Sequence, residues 1–246
     1  MIDPKTRLDL ALVARGLAPT RARARDAILR GHVRVDGAQA DRPAMAVADG
    51  TAITIDDPAS RYVSRGALKL IAGLDAFSYA PAGRLALDLG ASTGGFTQVL
   101  LERGAERVVA VDVGHGQLHP RLAGDSRVSL REHLNARDLT AADTGGPVGA
   151  IVADVGFISL KLALPPALAL AAPEAWAVVL VKPQFEVGRE QLGKGGIVRD
   201  ESLARWVADD IAAWLAASGW RVDGLIPSPI AGGDGNREFL IGARRG

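Results

Sequence analysis

Lys182 closes the apolar run AWAVVLVK and is followed at once by Pro183. Proline holds the residue before it in extended backbone, so this amine ends a strand and points toward the strand's carboxyl edge. A lysine there can steer a weakly acidic hydroxyl, or stabilise the negative charge that develops on it. The alternative is a salt bridge that caps the strand. A second stretch, LALDLGASTGGFTQVLLERG, passes from an apolar strand through a glycine-rich turn into an amphipathic helix. Glycines there let a ligand approach the backbone, and the helix start offers free N–H groups.

The spacing of that turn separates two cofactor classes. A nicotinamide fingerprint needs G-x-G-x-x-G, whereas this loop reads Gly90-x-x-x-Gly94-Gly95. The pattern favours S-adenosylmethionine, with Gly90, Ser92, Thr93, Gly94, Gly95 and Phe96 as candidate contacts. Asp112 closes the next strand about 20 residues after the first glycine, where a carboxylate can accept both ribose hydroxyls of an adenosine. Asn135, in HLNARDL after the third strand, is the candidate adenine contact, with Asp138 second.

If a methyl group moves, the acceptor can be narrowed by elimination. Pyrimidine C5 chemistry generally uses a cysteine, and the chain has none. Exocyclic base amines generally call for Asn/Asp-Pro-Pro-aromatic after the fourth strand, where this chain reads Asp154-Val155-Gly156-Phe157. Pro165-Pro166 comes later and lacks the acidic or amide residue ahead of it. A ribose 2′-hydroxyl, a poor nucleophile until its charge is managed, matches the need Lys182 can meet.

Around these residues the sequence must supply a scaffold. The chain has 246 residues, 48% of them apolar and 23% charged, enough for one large core and a second small one. Apolar runs are far shorter than the ~20 residues of a membrane span. MIDPKTRLDLALVARG is interrupted by charge where a signal peptide needs an apolar block, so a cytoplasmic protein is expected. Four scattered histidines and no cysteine leave no metal site in view. Strand-like segments LALDLG, RVVAVDVG, RVSLREH, GAIVADVGF and AWAVVLVKP alternate with helical ones, as in βαβ units around a parallel sheet. WRVDGLIPSPI and NREFLIGARR lie too close together for a crossover helix and are read as an antiparallel pair at one sheet edge. The expectation is an α/β, doubly wound, Rossmann-like class I methyltransferase fold with a seven-stranded sheet.

Ahead of it lies a small α+β unit. Apolar residues recur at helical spacing from Leu8 to Leu17 with Gly16 at the stop, and Thr20 caps RARARDAILRG, which ends at Gly31. Then come HVRVDG, MAVADG and TAITID. The first 35 residues hold eight Lys or Arg against three Asp. Arg7, Arg21, Arg23, Arg25 and Arg30 are candidate phosphate contacts, and Arg65 a further one, with a solvated surface as the alternative. The expected boundaries are 1–57 for this unit, 58–65 for a linker and 66–246 for the larger domain. From Gly66 a helix is expected to begin, carrying Lys69 about one turn in.

RLDLALVARGLAPTRARARDAILRGHVRVDG resembles the RNA-binding domain named after ribosomal protein S-four, with its Arg-rich second helix. SRGALKL, DLGASTGGFT, VDVGHGQL, ADVGFISL, LVKPQFE and GNREFL occur in the order and approximate spacing of the TlyA family, ribosomal RNA 2′-O-methyltransferases related to the RrmJ/FtsJ group. The resemblance implies an rRNA or ribosomal-subunit partner rather than DNA, with cytidine as the nucleotide; with neither a signal peptide nor a strongly amphipathic segment read in the sequence, no membrane partner is expected, and a monomer is. It also implies a Lys-Asp-Lys-Glu tetrad at Lys69, Asp154, Lys182 and Glu238, in which Lys182 activates or steers the hydroxyl and the others position it. Asp154 also counts among the cofactor contacts. Tyr62 replaces a frequent tryptophan, REHLNARDL replaces a more usual Glu-Arg-Thr-Asn segment, and Ala231 stands where threonine is common. The rivals are a non-catalytic assembly factor and a haemolysin, a label the family also carries. The loop 186–200, rich in glycine and charge, is expected to be either a lid over substrate or ordinary surface.

Overall fold

The structure, a computed structural model, describes residues 5–232 and 235–246; Asp3, counted in the charge balance above, lies outside the described residues. The chain divides into two compact units, Met1–Arg61 and Tyr62–Gly246.

In the first unit α1 spans Leu8–Ala14 and α2 spans Arg21–Leu29. Helix α1 stops three residues before the expected Leu17. Gly16 adopts φ +68°, and the Leu17 amide turns back to the Leu12 carbonyl at 2.9 Å, closing the helix with a glycine cap. Thr20 caps α2 by accepting from the Arg23 amide. Strand β1 is Thr6–Arg7, β2 Val33–Val35, β3 Ala38–Gln39, β4 Ala46–Val47 and β5 Ile53–Ile55. β2 pairs with β3 and β5, and β1 with β4, all antiparallel. Asp36-Gly37 turns the β2–β3 hairpin with both φ angles positive, the backbone that a two-residue Asp-Gly loop provides. Leu8, Leu12, Ile28 and Val33 are fully buried at its core.

The second unit is built on seven strands. After α3 (Ala67–Phe77) come β6 (Leu85–Leu89), α4 (Gly95–Glu102), β7 (Arg107–Val111), α5 (Pro120–Ala123), β8 (Val128–Arg131), α6 (Ala141–Thr144) and β9 (Val148–Ala153). There follow α7 (Leu160–Ala163), α8 (Pro165–Ala169), β10 (Ala171–Val181), α9 (Glu201–Ala217), β11 (Trp220–Pro227) and β12 (Phe239–Arg245). The sheet order is β11-β12-β10-β9-β6-β7-β8, with β12 antiparallel to both its neighbours and the other pairings parallel. The doubly wound sheet and its antiparallel edge are therefore present as expected. The crossover from β8 to β9 is thin, containing only the 3-10 turn Ala136–Asp138 and the single turn of α6. Strand β10 starts earlier than its apolar run, at Ala171, with a register irregularity before Trp176.

Alternation along the strands sends side chains to two cores. Leu87, Leu89, Val109, Ile151 and Val179 pack with α7, α8 and α9, while Ala86, Val108, Val152 and Val178 pack with α3 and α4. The order of strands reverses between β6 and β9, and ligands of such sheets bind outside the carboxyl ends at that point. Loops 90–95, 112–117, 132–138, 154–159 and 182–198 all leave from that edge.

Candidate active site

The turn after β6 is forced by proximity. Gly90 has φ +78°, and a Cβ built on it would lie 2.5 Å from the Asp154 carbonyl oxygen of the adjacent strand end. No side chain fits there. Gly94, at φ +96°, leads into α4, whose first turn leaves backbone N–H groups facing the loop. Gly95 packs on the segment that precedes α3, since a Cβ there would meet Ser64 Cβ at 2.9 Å and the Ala67 nitrogen at 3.2 Å.

Two cavities open at this edge. A cleft of about 820 Å³ is bordered by Gly90, Ser92, Asp112, Asn135, Phe157 and Phe185 among others. A recess of about 200 Å³ is lined by Ser64, Gly66, Thr93, Gly95 and Phe96. Gly90, Ser92, Asp154 and Lys182 border both. The chamber is large enough for a ligand of nucleoside size with a second group entering beside it.

Asp112 already accepts from the Ser92 amide at Oδ2 and the Gly114 amide at Oδ1, both at 2.7 Å. A carboxylate has about four lone-pair sites, so capacity for two ribose hydroxyls remains. Asn135 also borders the cleft, but its Oδ1 caps the turn Ala136–Asp138 by accepting from the Arg137 amide. Its Nδ2 is the group left for a base. Asp138, the second choice, does not border the cleft.

The four tetrad candidates form two ion pairs. Lys182 Nζ lies 2.6 Å from Asp154 Oδ1, with the side chains 17% and 22% exposed. Lys69 Nζ donates to Glu238 Oε2 at 2.5 Å, and this pair is 8% and 2% exposed. Lys69 sits in the first turn of α3, and Glu238 immediately precedes β12. A Cβ built on Gly66, the residue that opens α3, would lie 3.8 Å from Asp154 Oδ2, so Asp154 sits beside the start of the helix that carries Lys69. Among the described residues, Lys182 and Asp154 face both cavities, whereas Lys69 and Glu238 line neither.

Several residues that sequence reasoning passed over belong to this edge. Phe157 is 94% exposed, has φ +63°, and lies against Phe185 at the cleft with ring centroids 4.9 Å apart and the ring planes tilted by 44°. Glu186 accepts from Ser159 Oγ at 2.6 Å and the Leu160 amide at 2.8 Å, tying the segment after Lys182 to the start of α7. Ser64 lines the recess from the stretch assigned to the linker. Asp88, the one acid inside LALDL, is fully buried and accepts from Thr97 Oγ1 at 2.6 Å. Burial, with smaller contributions from Asp154 and Asp112, pushes its carboxyl up to about 7 despite the Thr97 hydrogen bonds. An acid in an apolar strand was the available signal.

In the first unit the arginines divide by environment. Arg30 bridges Asp26 at 2.8 Å and Asp57 at 2.7 Å, with its side chain only 13% exposed. Burial alone would lower its affinity for the proton, but the two carboxylates outweigh it and the guanidinium is held above its ordinary value. The expectation that Arg30 meets phosphate is therefore corrected: its hydrogen-bonding edges close α2 onto the end of the unit. Arg7 and Arg21 both bond the buried carboxylate of Asp9, at 2.9 Å each, yet remain about half exposed. Their hydrogen bonds, the one from Arg7 having the larger effect, hold Asp9 well below the usual carboxylate range. Arg23 donates to the Ala59 carbonyl at 2.8 Å, and Arg25 is exposed. The ion-pair partners lie largely outside α2, so the composition of that helix alone could not reveal them. Arg65, in the second unit, is half-buried ahead of α3.

Comparison with known proteins agrees with this architecture. Residues 62–245 match the FtsJ-like methyltransferase family, and residues 6–53 match the S4 domain. The chain is 48% identical over 241 residues to the 16S/23S rRNA (cytidine-2′-O)-methyltransferase TlyA of Mycobacterium tuberculosis, covering 98% of this chain and 90% of that one. It is 37% identical to Hemolysin A of Brachyspira hyodysenteriae, covering 95% and 98%. A solved hemolysin-named structure from Streptococcus thermophilus shares 42% identity with a TM-score of 0.76, covering 98% of this chain and 89% of that one. With the sheet order, the glycine turn and the Lys–Asp edge already in place, the chain belongs to the FtsJ-like methyltransferase family, with an S4 domain ahead of the methyltransferase domain.

Proposed function

We propose that the protein transfers the methyl group of S-adenosylmethionine to the ribose 2′-hydroxyl of cytidine in ribosomal RNA. The observation that carries this reading is the placement of Lys182 and Asp154 where the cleft meets the recess, beside the glycine turn. The cytidine and rRNA assignments rest on the relatives named for that reaction.

The cleft suits the cofactor by its chemistry. Gly90 to Phe96 bring backbone N–H groups close, Asp112 keeps acceptor capacity for ribose hydroxyls, and Asn135 Nδ2 can donate to adenine. When bound, S-adenosylmethionine supplies an electrophilic methyl group on a sulfonium. The protein's part is then to bring the acceptor oxygen into line and manage its charge. Lys182 Nζ contacts that oxygen and activates or steers it, Asp154 orients Lys182, and the buried Lys69–Glu238 pair fixes α3 and the start of β12 behind them. Phe157 offers a ring face at the cleft mouth on which an unstacked base can rest.

Residues 1–57, with Arg7, Arg21, Arg23 and Arg25 as contacts, grip folded RNA; residues 58–65 join this part to the catalytic domain, 66–246, and Arg65 contacts phosphate there. The protein acts as a cytoplasmic monomer. Among the described residues no helix is long and apolar enough to cross a membrane. The test is to incubate the purified protein and labelled S-adenosylmethionine with each ribosomal subunit and map the product. Label on cytidine 2′-oxygens is expected, and label confined to bases or protein would overturn the proposal.

A further inference from the structure

Asn236 is 2% exposed and sits two residues before Glu238. Its side chain reaches away from that strand into the loop that follows Lys182. Oδ1 accepts from the Val198 amide at 3.0 Å, and Nδ2 donates to the Gly196 carbonyl at 3.1 Å. The two bonds call on both ends of the amide, since an acceptor and a donor are needed at once. The clamped turn is itself closed, with the Gly193 amide bonded to the Ile197 carbonyl at 2.9 Å and Val198 buried in the core beside α9. On the other side, the Gly232 amide bonds the Asn236 carbonyl at 2.9 Å, and a Cβ on Gly232 would lie 2.7 Å from Glu238 Oε1. The backbone around Asn236 therefore also forms the wall against which Glu238 rests.

We infer that Asn236 is a positioning residue for methyl transfer, clamping residues 196–198 to the segment that carries Glu238 so that the chain leaving Lys182 and the partner of Lys69 share one frame. The inference rests on the proposed methyl transfer for its kinetic consequence, but not for the clamp. The loop 182–198 is pinned near its start by Glu186 on Ser159 and Leu160, and at its far end by Asn236. An amide that only filled space would not need to match one N–H and one C=O on the same turn.

The experiment compares the full-length protein with Asn236→Ala and Asn236→Asp. Three quantities are measured: hydrogen exchange across 193–198, calorimetric affinity for S-adenosylmethionine, and steady-state methylation of ribosomal subunits. For Asn236→Ala, the Val198 amide exchanges faster and kcat falls by about 10- to 100-fold, the scale expected when a reacting group is misplaced by about 1 Å. Cofactor affinity stays within about twofold, because Gly90 to Phe96 and Asp112 are on other loops. Asn236→Asp keeps an acceptor for the Val198 amide and recovers part of both the protection and the rate. Unchanged exchange at Val198 in Asn236→Ala would overturn the clamp. Faster exchange with a wild-type kcat would overturn the positioning role, and so would cofactor affinity falling in parallel with kcat. If wild-type protein methylates neither subunit, the proposed reaction fails, while the exchange measurement still decides the clamp.

Discussion

Lys182 Nζ lies 2.6 Å from Asp154 Oδ1, joining the ends of two adjacent parallel strands at the point where both cavities meet. Neither side chain is fully buried, so each can also reach a ligand. Removing the amine leaves the cofactor loop intact and takes away the only lysine facing both cavities among the described residues. Lys182→Ala is therefore expected to lower methyl transfer by about 10³-fold or more, in line with losing a group that stabilises developing charge. Calorimetry should show S-adenosylmethionine binding preserved, and loss of binding would assign Lys182 to the cofactor instead.

The Lys69–Glu238 pair answers to a different physics. Breaking a buried pair strands one charge and costs about 3–5 kcal/mol, whereas replacing both partners by apolar groups is often neutral. Lys69→Met and Glu238→Leu singly should each lower the unfolding free energy on that scale. The double variant should recover most of the stability while remaining impaired in methylation. A double variant as unstable as the singles would mean that the pair contributes more to the fold than to activity.

Asp88 gives a pH dependence with a definite sign. Its ordinary carboxyl value is 3.8, and in the folded protein it rises to about 7. Between those values the folded state holds a proton that the unfolded state has lost, so Asp88's contribution to stability declines as pH rises from about 4 to 7. The decline amounts to about a few kcal/mol at most. Asp88→Asn should flatten this part of the profile in denaturant titrations run at successive pH values. A slope identical to wild type would place the proton elsewhere.

Arg30 and Arg25 should separate structure from RNA binding. Arg30→Ala leaves Asp26 and Asp57 facing each other without their shared cation and should lower the melting temperature. Arg25→Ala should leave the melting temperature alone and reduce the salt dependence of RNA binding by about 0.7–0.9 in log–log slope, the amount expected for one lost phosphate contact. Arg21→Ala should do both in part, because its guanidinium also serves Asp9.

How much of this was legible in the sequence depended on whether the determining contact was local. The glycine turn, the strands and the Thr20 cap are written in consecutive residues, and they were found. The apolar spacing continues to Leu17 although α1 ends at Ala14 and its glycine cap is Gly16, so periodicity alone overstates the helix by three residues. Arg30 was misjudged because one of its partners, Asp57, lies 27 residues away. Phe157 gave no local hint at all: a phenylalanine after a buried strand reads as core, and only the positive φ at its backbone turns it outward. Asn236 was hidden for the same reason as Arg30, its partners being about 40 residues upstream.

The contact between Gly95 and the stretch Ser64–Ala67 bears on how the protein can be dissected. The expected linker runs over 58–65, yet within it the Val63 amide is held by Gln98 Oε1 at 2.9 Å and Ser64 lines the recess. A separately produced catalytic half should therefore begin no later than Tyr62, since a start at Gly66 would remove part of the recess wall. Grafting a foreign RNA-binding module onto this enzyme meets the same boundary: the unit to be exchanged ends at Arg61, because Ala59 is held by Arg23, and the next five residues must travel with the catalyst.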